Sequence, residues 1–350
     1  MTTAIVRAIA RALDRQDLSR AEMTEVIGQI MDGHATPAQI GGLLVALRAK
    51  GEAVDELVGA AMAMRERAAP LACPDLEGSI DTCGTGGDGA GTLNVSTLAA
   101  ILLAACGATV AKHGNRAQSS KCGSADVLEA LGIAIDCEPA AVEHCLADAG
   151  IGFAFAPRFH AATRHAAGPR KELGTRTIFN LLGPLTNPAR VRQQVVGVYD
   201  RRWCTPMAAA LGALGVRQAA VVCAASGLDE LAVHGPTHVA VYAGGAVQTY
   251  ELSPKEFGCD EVDPAGLAGG DAMHNASVLR YTLAGQLVGH GEPNEAFLQA
   301  AAMTAALGLA LLDGAFSIVT LPDHYRRARD VAFDGTASRV LDRWRDASQP

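Results

Sequence analysis

Two polar segments in the first half of the chain have the composition of a site for a phosphorylated ligand. The first contains GTGGDG at residues 84–89 and ends in Asn94, Ser96 and Thr97, three amide or hydroxyl side chains. Glycines let backbone N–H groups approach a phosphate, and the start of a helix adds partial positive charge. The second segment, KHGNR at residues 112–116, clusters basic side chains in a chain whose net charge is −8. Both should follow strands of an open α/β sheet, where ligands bind beyond the strand ends, so we expect them to converge on a polyphosphate.

Each segment also has a simpler interpretation. For the first segment, the alternative is that one of Asn94, Ser96 and Thr97 is simply the N-cap of the following helix and has no role in binding. For the second, the alternative is that KHGNR is a solvated basic turn. GTGGDG also matches the GxGxxG fingerprint of dinucleotide-binding folds, but that fingerprint is followed by an acidic residue about 20 positions later. Here the next strand runs into Lys112 and His113, and no Gly-Lys-Ser/Thr follows the glycines as in a Walker loop. A dinucleotide-dependent dehydrogenase is therefore the least favoured function.

A pair of adjacent carboxylates, Asp229 and Glu230, follows a strand predicted at residues 219–225. Carboxylates that face phosphates repel them unless a divalent cation lies between, and Mg²⁺ often shares phosphate oxygens with few protein carboxylates. The pair is therefore a candidate magnesium site, with a solvated turn as the alternative. His160 and His165 lack the HExxH pattern of a zinc site. No GxSxG nucleophile elbow is present.

Composition restricts the class of protein. A chain of 350 residues exceeds the usual size of one hydrophobic core, which favours two domains. Apolar residues make up 49% and charged residues 19%, so a folded protein is expected, and the acidic balance argues against nucleic-acid binding. Nine cysteines without a C-x-x-C pair, and no secretory signal, indicate reduced thiols and a cytoplasmic location. Low-charge runs such as Leu93–Val110 contain polar residues and glycine, so no membrane partner is expected.

Helical periodicity alone covers residues 1–70. Helices are predicted at residues 4–13, 20–31, 37–50 and 54–68, with capping motifs at Ser19-x-x-Glu22 and Thr36-Pro37. The third helix carries apolar side chains that either form a dimer face or pack inward; they are Ile40, Leu43, Leu44 and Leu47.

Strands and helices alternate after a linker at residues 70–74, which predicts a mainly parallel sheet in residues 75–350. Strands are expected at 79–82, 108–111, 151–155, 194–199 and 219–225, and a hairpin at 238–243 and 246–252. Helices are expected at 95–106, 125–131, 139–149 and 295–312, and residues 313–350 as strand, loop and charged helix. The polar, proline-containing segment 169–190 should cross between the two domains.

Four motifs in order resemble the anthranilate phosphoribosyltransferase family. They span Asp81 to Leu231 and read GTGGDGAGTLNVST, KHGNRAQSSKCGSADVLEALG, RKELGTRTIFNLLGPLTNPA and GLDEL. The resemblance implies the α/β fold of the nucleoside phosphorylase and phosphoribosyltransferase class. In that fold a small helical N-terminal domain, here 1–70 with part of 169–190, joins a large α/β domain, here 75–350. The resemblance further implies an active site in the cleft between the two domains and a homodimer.

The same resemblance implies a reaction of tryptophan biosynthesis. The phosphoribosyl group of phosphoribosyl pyrophosphate (PRPP) is transferred to the amine of anthranilate, giving N-(5-phosphoribosyl)anthranilate and diphosphate. The nucleophile belongs to the substrate, which agrees with the lack of an enzyme nucleophile. Mg²⁺ is the expected cofactor, with two ions per active site.

Carried onto this chain, the family's site has three sets of residues. Metal ligands are expected at Ser96, Asp229 and Glu230, and anthranilate contacts at Gly84, Asn115 and Arg170. Arg170 suits the carboxylate of the aromatic acid, although an ion pair with Glu172 is an alternative. The PRPP contacts are Gly84, Gly87, Asp88, Thr92, Asn94, Val95, Ser96, Thr97, Lys112, His113, Gly114, Asn115, Arg116, Ala117, Gln118, Ser119, Ser120 and Ser124.

Two rival functions fit the same architecture. A pyrimidine-nucleoside phosphorylase would cleave a nucleoside with phosphate, but KHGN, RKELG and the Asp229–Glu230 pair fit PRPP and anthranilate better. A non-catalytic relative that binds nucleic acid would need a basic face, which the net charge of −8 disfavours.

Overall fold

The N-terminal helices form where the sequence predicts them. They are α1 (Ala4–Leu13), α2 (Arg20–Met31), α3 (Pro37–Lys50) and α4 (Val54–Glu66). Reciprocal capping boxes begin two of them: the Ser19 hydroxyl accepts from the Glu22 amide and the Glu22 carboxylate accepts from the Ser19 amide, and Thr36 and Gln39 do the same on α3. The computed structural model describes residues 3–117, 121–284 and 293–349.

The apolar side chains of α3 pack inward. Ile40, Leu43, Leu44 and Leu47 are each at most 2% exposed, so their interpretation as a dimer face is wrong. They pack in one cluster with side chains of the segment 166–185 and of the nearby face of the sheet. The larger apolar side chains that remain exposed on α1 and α3 are Val6, Leu13 and Val45.

A seven-stranded sheet forms the centre of the molecule in the order β3-β2-β1-β4-β5-β6-β7. Strands β1 to β5 run parallel, and β6 and β7 complete the edge as an antiparallel hairpin. The chain winds outward from β1 to β3 and then returns to place β4 on the other side of β1, so the strand order reverses at β1 and β4. The strands are β1 (Ser79–Gly84), β2 (Thr109–Gly114), β3 (Ile151–Phe155), β4 (Gln193–Gly197), β5 (Gln218–Ala224), β6 (Thr237–Ala243) and β7 (Ala246–Leu252).

Helices cover the sheet. The remaining ones are α5 (Val95–Ala105), α6 (Ser124–Ala130), α7 (Pro139–Ala149), α8 (Ala156–Phe159), α9 (Arg164–Leu173), α10 (Phe179–Leu185), α11 (Cys204–Ala213), α12 (Ala272–Leu283), α13 (Pro293–Leu312), α14 (Leu321–Phe333) and α15 (Thr336–Ala347). Helix α9 packs on α2 and α3, and α10 packs on α4, as expected for a segment that crosses to the helical bundle. Among the described residues one stretch, Glu295–Leu312, is apolar and long enough to cross a membrane, but it is buried in the core against α5.

Two expectations for the chain are wrong. A strand is expected within residues 313–350, but the described part, 313–349, consists of a short 3₁₀ turn at Ile318–Thr320 and the helices α14 and α15. The apolar faces of these two helices pack on α5 and α13. The burial of those faces outweighs the strand preference of the β-branched residues at Ile318–Thr320. Strand β2 continues to Gly114, beyond the expected end at residue 111, because its backbone pairs with β3 up to Phe155. Lys112 and His113 therefore belong to the strand and not to the loop after it.

Candidate active site

Two paired glycines mark the point where the strand order reverses. Gly84 ends β1 and pairs with Gly197 at the end of β4. A Cβ atom on Gly84 would lie 2.7 Å from Oδ2 of Asp229, and one on Gly197 would lie 1.6 Å from the Asp229 carbonyl oxygen. Only glycines let the chain after β5 cross over these strand ends. The reversal point of an open sheet is where such folds bind ligands, so the carboxylates of the predicted metal site lie at the expected position.

Two adjacent carboxylates, Asp229 and Glu230, lie beside the glycine-rich loop, and the charge of Asp88 in that loop acts on both. Oδ2 of Asp229 accepts a hydrogen bond of 2.8 Å from the Gly86 amide. Burial, and then the charge of Asp88, raise the pKa of Asp229. Burial and the charge of Asp229 raise the pKa of Glu230, while Lys112 acts in the opposite direction. Oδ2 of Asp88 is buried without a hydrogen-bond partner among the described residues.

This arrangement suits a divalent cation shared with a ligand. Like charges held together in a partly dry pocket favour either protonation or a cation. Within the described ranges no three His, Cys, Asp or Glu side chains converge as a complete metal site. Mg²⁺ commonly completes its shell with water and substrate phosphate oxygens, so an incomplete protein shell fits this ion.

Lys112 is buried near the end of β2 and contacts residues of the candidate site. Its side chain is 1% exposed, and Nζ donates to the Thr82 carbonyl at 2.6 Å and to Oγ of Ser96 at 3.2 Å. The interpretation of this lysine as part of a solvated basic turn is wrong. Because Ser96 also lies against Glu230, Lys112 joins the start of α5 to the carboxylate pair.

His113 is buried next to His160. Their rings are 5.1 Å apart, and Nδ1 of His113 is 3.2 Å from the Gly183 carbonyl oxygen. Burial is the main cause that lowers the pKa of His113 to about 3 and that of His160 to about 4. Nε2 of His113 and both ring nitrogens of His160 lack partners among the described residues. At neutral pH both rings are uncharged and His113 is a weak base.

The end of the glycine-rich loop is held by an amide network. Asn94 occupies the N-cap position of α5 but makes no side-chain cap, so capping is not its role. Its Nδ2 donates to the Cys122 carbonyl at 3.3 Å, and its Oδ1 accepts from Nδ2 of Asn275 at 2.9 Å. Val95 and Thr97 are buried in the core, while Thr92 forms a β-bridge with Ala268. No local signal in the sequence singles out Asn275, because it lies far along the chain in an ordinary helical pattern.

The described residues of the second loop, 114–117 and 121–126, contact one another and the start of α6. Arg116 pairs with Asp126 and Glu129 at 2.9–3.0 Å and lies over the ring of Phe155. Its charge is therefore neutralised by the protein, contrary to the expectation of an open positive cluster. Asp126 also accepts from the amides of Ala117 and Gly123, at 2.9 Å each, which folds the loop.

The remaining residues of this loop are arranged around Asn115. The Asn115 side chain is exposed, and the Ser124 hydroxyl donates to the Asn115 carbonyl at 3.3 Å. Gly114 has no room for a side chain, since a Cβ there would lie 2.3 Å from Oγ of Ser124. Gln118, Ser119 and Ser120 lie outside the described residues.

Two arginines from the segment that crosses between the domains complete the neighbourhood. Arg170 lies over the ring of Phe179 at 5.0 Å, burial lowers its pKa, and it makes no ion pair or hydrogen bond within the described ranges. The alternative of an ion pair with Glu172 is therefore wrong. Arg176 lies 4.0 Å over the ring of Tyr199 and donates to the carbonyl of Gly87, a contact that the sequence analysis missed.

Both parts of the chain match models of one protein family. Residues 6–68 match the helical bundle domain of the glycosyl transferase family, and residues 76–338 match its a/b domain. The chain is 48% identical over 344 residues to anthranilate phosphoribosyltransferase of Paramagnetospirillum magneticum, which covers 98% of this chain and 96% of the relative.

Solved structures give the same result. The crystal structure of anthranilate phosphoribosyltransferase from Thermus thermophilus superposes with a TM-score of 0.89 at 40% identity, covering 98% of this chain and 99% of the other. The Saccharomyces cerevisiae enzyme in complex with PRPP and Mg has a TM-score of 0.86 at 27% identity, with 98% and 97% covered. With a relative this similar over nearly its whole length, this chain belongs to the anthranilate phosphoribosyltransferase family of enzymes.

Proposed function

We propose that the crevice at the ends of β1 and β4 holds the substrates of the family's reaction. The chain is a glycosyltransferase of tryptophan biosynthesis that transfers the phosphoribosyl group of PRPP to the amine of anthranilate, releasing diphosphate. The observation that carries the location is the placement of Asp229 over Gly84 and Gly197, next to the glycine-rich loop. The sequence, the sheet reversal and the carboxylates all indicate this place.

The PRPP site consists of the two loops and the start of α5. Amides of the glycine-rich loop and the side chains of Thr92, Asn94 and Ser96 supply donors to phosphate and ribose oxygens. The other face is proposed to be the loop after β2, in which Asp126 accepts from the amides of Ala117 and Gly123. Lys112 and Arg116 stay proposed PRPP contacts, with Lys112 also donating to Ser96 and Arg116 also pairing with Asp126 and Glu129.

Ser96, Asp229 and Glu230 are the proposed ligands of Mg²⁺, with two ions per active site. Asp88 adds a third carboxylate nearby. Burial first, and then the charge of a neighbouring carboxylate, raise the pKa values of Asp229 and Glu230, and a bound cation would offset both effects. When bound, Mg²⁺ neutralises negative charge on the diphosphate leaving group. The protein's part is to hold the carboxylates in place through Gly84, Gly86 and Gly197.

Anthranilate is proposed to bind between Gly84, Asn115 and Arg170. The guanidinium of Arg170 is partly buried, has no anionic partner within the described residues and matches a carboxylate with two hydrogen bonds. Orientation of the amine toward C1′ of the ribose supplies much of the rate enhancement, because the nucleophile is part of the substrate.

We also propose the domain division and the assembly that the family resemblance implies. The proposed division is a helical domain at residues 1–70, joined by part of 169–190, and an α/β domain at 75–350, with the substrates in the cleft between them. A homodimer through the helical domains would cover Val6 and Val45, which are 41% and 47% exposed on α1 and α3. A cytoplasmic location is supported by the nine cysteines, all of which are free thiols.

The test mixes purified protein, PRPP, anthranilate and Mg²⁺ and follows the change in fluorescence as anthranilate is converted to product. Turnover should require all four components and stop when a chelator is added. Asp229→Asn combined with Glu230→Gln should weaken the apparent Mg²⁺ affinity by at least about tenfold, because two carboxylate ligands are lost. Anthranilate binding should stay nearly unchanged.

A matched control exists in the same chain. Asp260→Asn with Glu261→Gln makes the same charge change at an exposed pair, where Glu261 contacts His234 and Gly235. This control should keep the wild-type Mg²⁺ requirement. Activity that resists the chelator, or an equal loss in both double variants, would refute the metal site.

A further inference from the structure

A segment far along the chain supports the end of the glycine-rich loop. The Leu93 amide donates to the Leu267 carbonyl at 2.8 Å, and the Gly269 amide donates to the Gly91 carbonyl at 2.9 Å. A Cβ atom on Gly269 would lie 2.6 Å from the Thr92 carbonyl oxygen, so the two backbones touch. Residues 267–275, which we call the brace, therefore fix where residues 91–94 lie.

The brace ends in Asn275, a buried amide on α12. Its side chain is 1% exposed. Oδ1 accepts from the Gly270 amide at 2.8 Å, and Nδ2 donates to Oδ1 of Asn94 at 2.9 Å. Both ends of the Asn275 amide are thus used within the protein, which fixes its orientation.

Asn275 in turn fixes the orientation of Asn94. Because Oδ1 of Asn94 accepts from Asn275, its NH₂ group must point the other way, where it donates to the Cys122 carbonyl at 3.3 Å. Cys122 belongs to the loop after β2, so this one amide joins the two loops of the site. An NH₂ group has two donors, and the second is not used by any described residue.

We propose that Asn275 is a positioning residue for PRPP, which acts by holding the amide of Asn94 with its free donor toward the ligand. The inference rests on the proposed function, in which Asn94 contacts PRPP. Asn275 itself is 1% exposed, so in this proposal it acts through Asn94 and not by contact with a substrate. Buried amides whose partners are all satisfied restrict a site to one geometry, and this is the role that the geometry assigns to it.

The first test is Asn275→Asp, a change of nearly equal size. The aspartate can still accept from Gly270, but it places an oxygen against Oδ1 of Asn94 where a donor was. We expect the KM for PRPP to rise about tenfold, since a buried polar group loses its partner. The KM for anthranilate at saturating PRPP should stay within about twofold of wild type. Asn275→Ser removes the amide without adding a charge and carries the same expectation if the aspartate variant does not fold.

Gln299→Glu is the matched control. Gln299 is a buried amide, 2% exposed, whose Nε2 donates to the Asp260 carbonyl at 2.8 Å. It loses a donor in the same way but has no link to Asn94. It should leave the KM for PRPP unchanged even if it lowers the melting temperature. Equal changes in the KM for PRPP in Gln299→Glu and Asn275→Asp would overturn the proposal.

A double-mutant cycle separates this inference from the proposed function. Asn94→Ala should raise the KM for PRPP, and adding Asn275→Asp to it should raise it no further, because Asn275 acts only through Asn94. Additive effects would refute the positioning role. If Asn94→Ala has no effect, the assignment of Asn94 as a PRPP contact fails; if Asn94→Ala has an effect but Asn275→Asp does not, only the present inference fails.

Discussion

Arg170 offers a test in which the binding of anthranilate should change greatly and the stability of the fold only slightly. Its guanidinium lies over Phe179 and has neither an ion pair nor a hydrogen bond among the described residues. A cation of this kind adds little to the stability of the fold, but it is ready to pair with the carboxylate of anthranilate. Replacement by methionine, which keeps much of the apolar contact with Phe179, should therefore impair binding more than folding.

The size of the effect follows from the environment of the side chain. Truncating one partner of a hydrogen-bonded charge pair costs about 2–5 kcal/mol. Arg170 is partly and not fully buried, so the lower half of that range applies. About 2–3 kcal/mol corresponds to an increase of about 30- to 150-fold in the KM for anthranilate. The free energy of unfolding should change by less than about 1 kcal/mol, the size of an exposed cation–π contact.

The assay measures initial rates by fluorescence while anthranilate is varied at saturating PRPP and Mg²⁺, and then the reverse. Arg170→Lys should have an intermediate effect, because it keeps the charge but loses the two-pronged hydrogen bonding. Arg164→Met, at an exposed position of the same helix α9, is the control and should match wild type. The reasoning is refuted if the KM values for PRPP and anthranilate rise equally, or if Arg170→Met loses several kcal/mol of stability, as breaking a buried structural ion pair would.

Two further predictions concern the crevice and the buried histidines. Gly84→Ala should weaken the apparent Mg²⁺ affinity about tenfold, because the new Cβ would lie 2.7 Å from Oδ2 of Asp229 and must displace that carboxylate. The control is Gly168→Ala, where the new Cβ meets nothing within 4 Å. A wild-type Mg²⁺ titration for Gly84→Ala would contradict the predicted displacement of Asp229. For His160, burial lowers the pKa to about 4 in the folded chain, below the value of about 6.5 expected when unfolded. The contribution of the neutral, buried ring to the free energy of unfolding is therefore complete above pH 6.5 and is lost as the pH falls toward 4. Urea unfolding of His160→Gln between pH 6 and 4.5 should show a slope of stability against pH that is smaller than that of wild type by about 1 kcal/mol per pH unit. Measurements at pH 8, where the ring is neutral in the folded and the unfolded chain, isolate the effect of the substitution on packing. Identical slopes in the two proteins would show that folding does not lower the pKa of His160.

The elements of the fold were largely predictable because their signals are local. The capping residues Ser19 and Thr36 begin helices where they were expected, and the Gly244–Gly245 hairpin joins β6 to β7. The predicted strand at 313–350 was wrong because tertiary packing outweighed a short β-branched run. Periodicity also could not tell whether Ile40 and Leu47 face the core or a partner, since both surfaces are apolar.

The candidate site was predictable in its residue types but not in its connections. Sequence order brings GTGGDG and KHGNR to neighbouring strand ends, and the structure has both there. The burial of Lys112 depends on how far β2 pairs with β3, and the pairing of Arg116 depends on where α6 presents Asp126 and Glu129. Asn275 and Arg176 reach the loops through contacts between distant segments, and a single sequence contains no local signal for such contacts.

The burial of α5 has a consequence for how the protein matures. This helix separates the two loops, and its residues from Leu98 to Leu103 are fully buried, in large part against α13. Residues 293–312 leave the ribosome long after the loops they support, so a nascent chain that ends before them carries an uncovered apolar helix. Such chains are prone to aggregate, and the closing of long-range contacts makes folding slow. The chain should therefore become able to bind substrate only after its C-terminal helices have been synthesised.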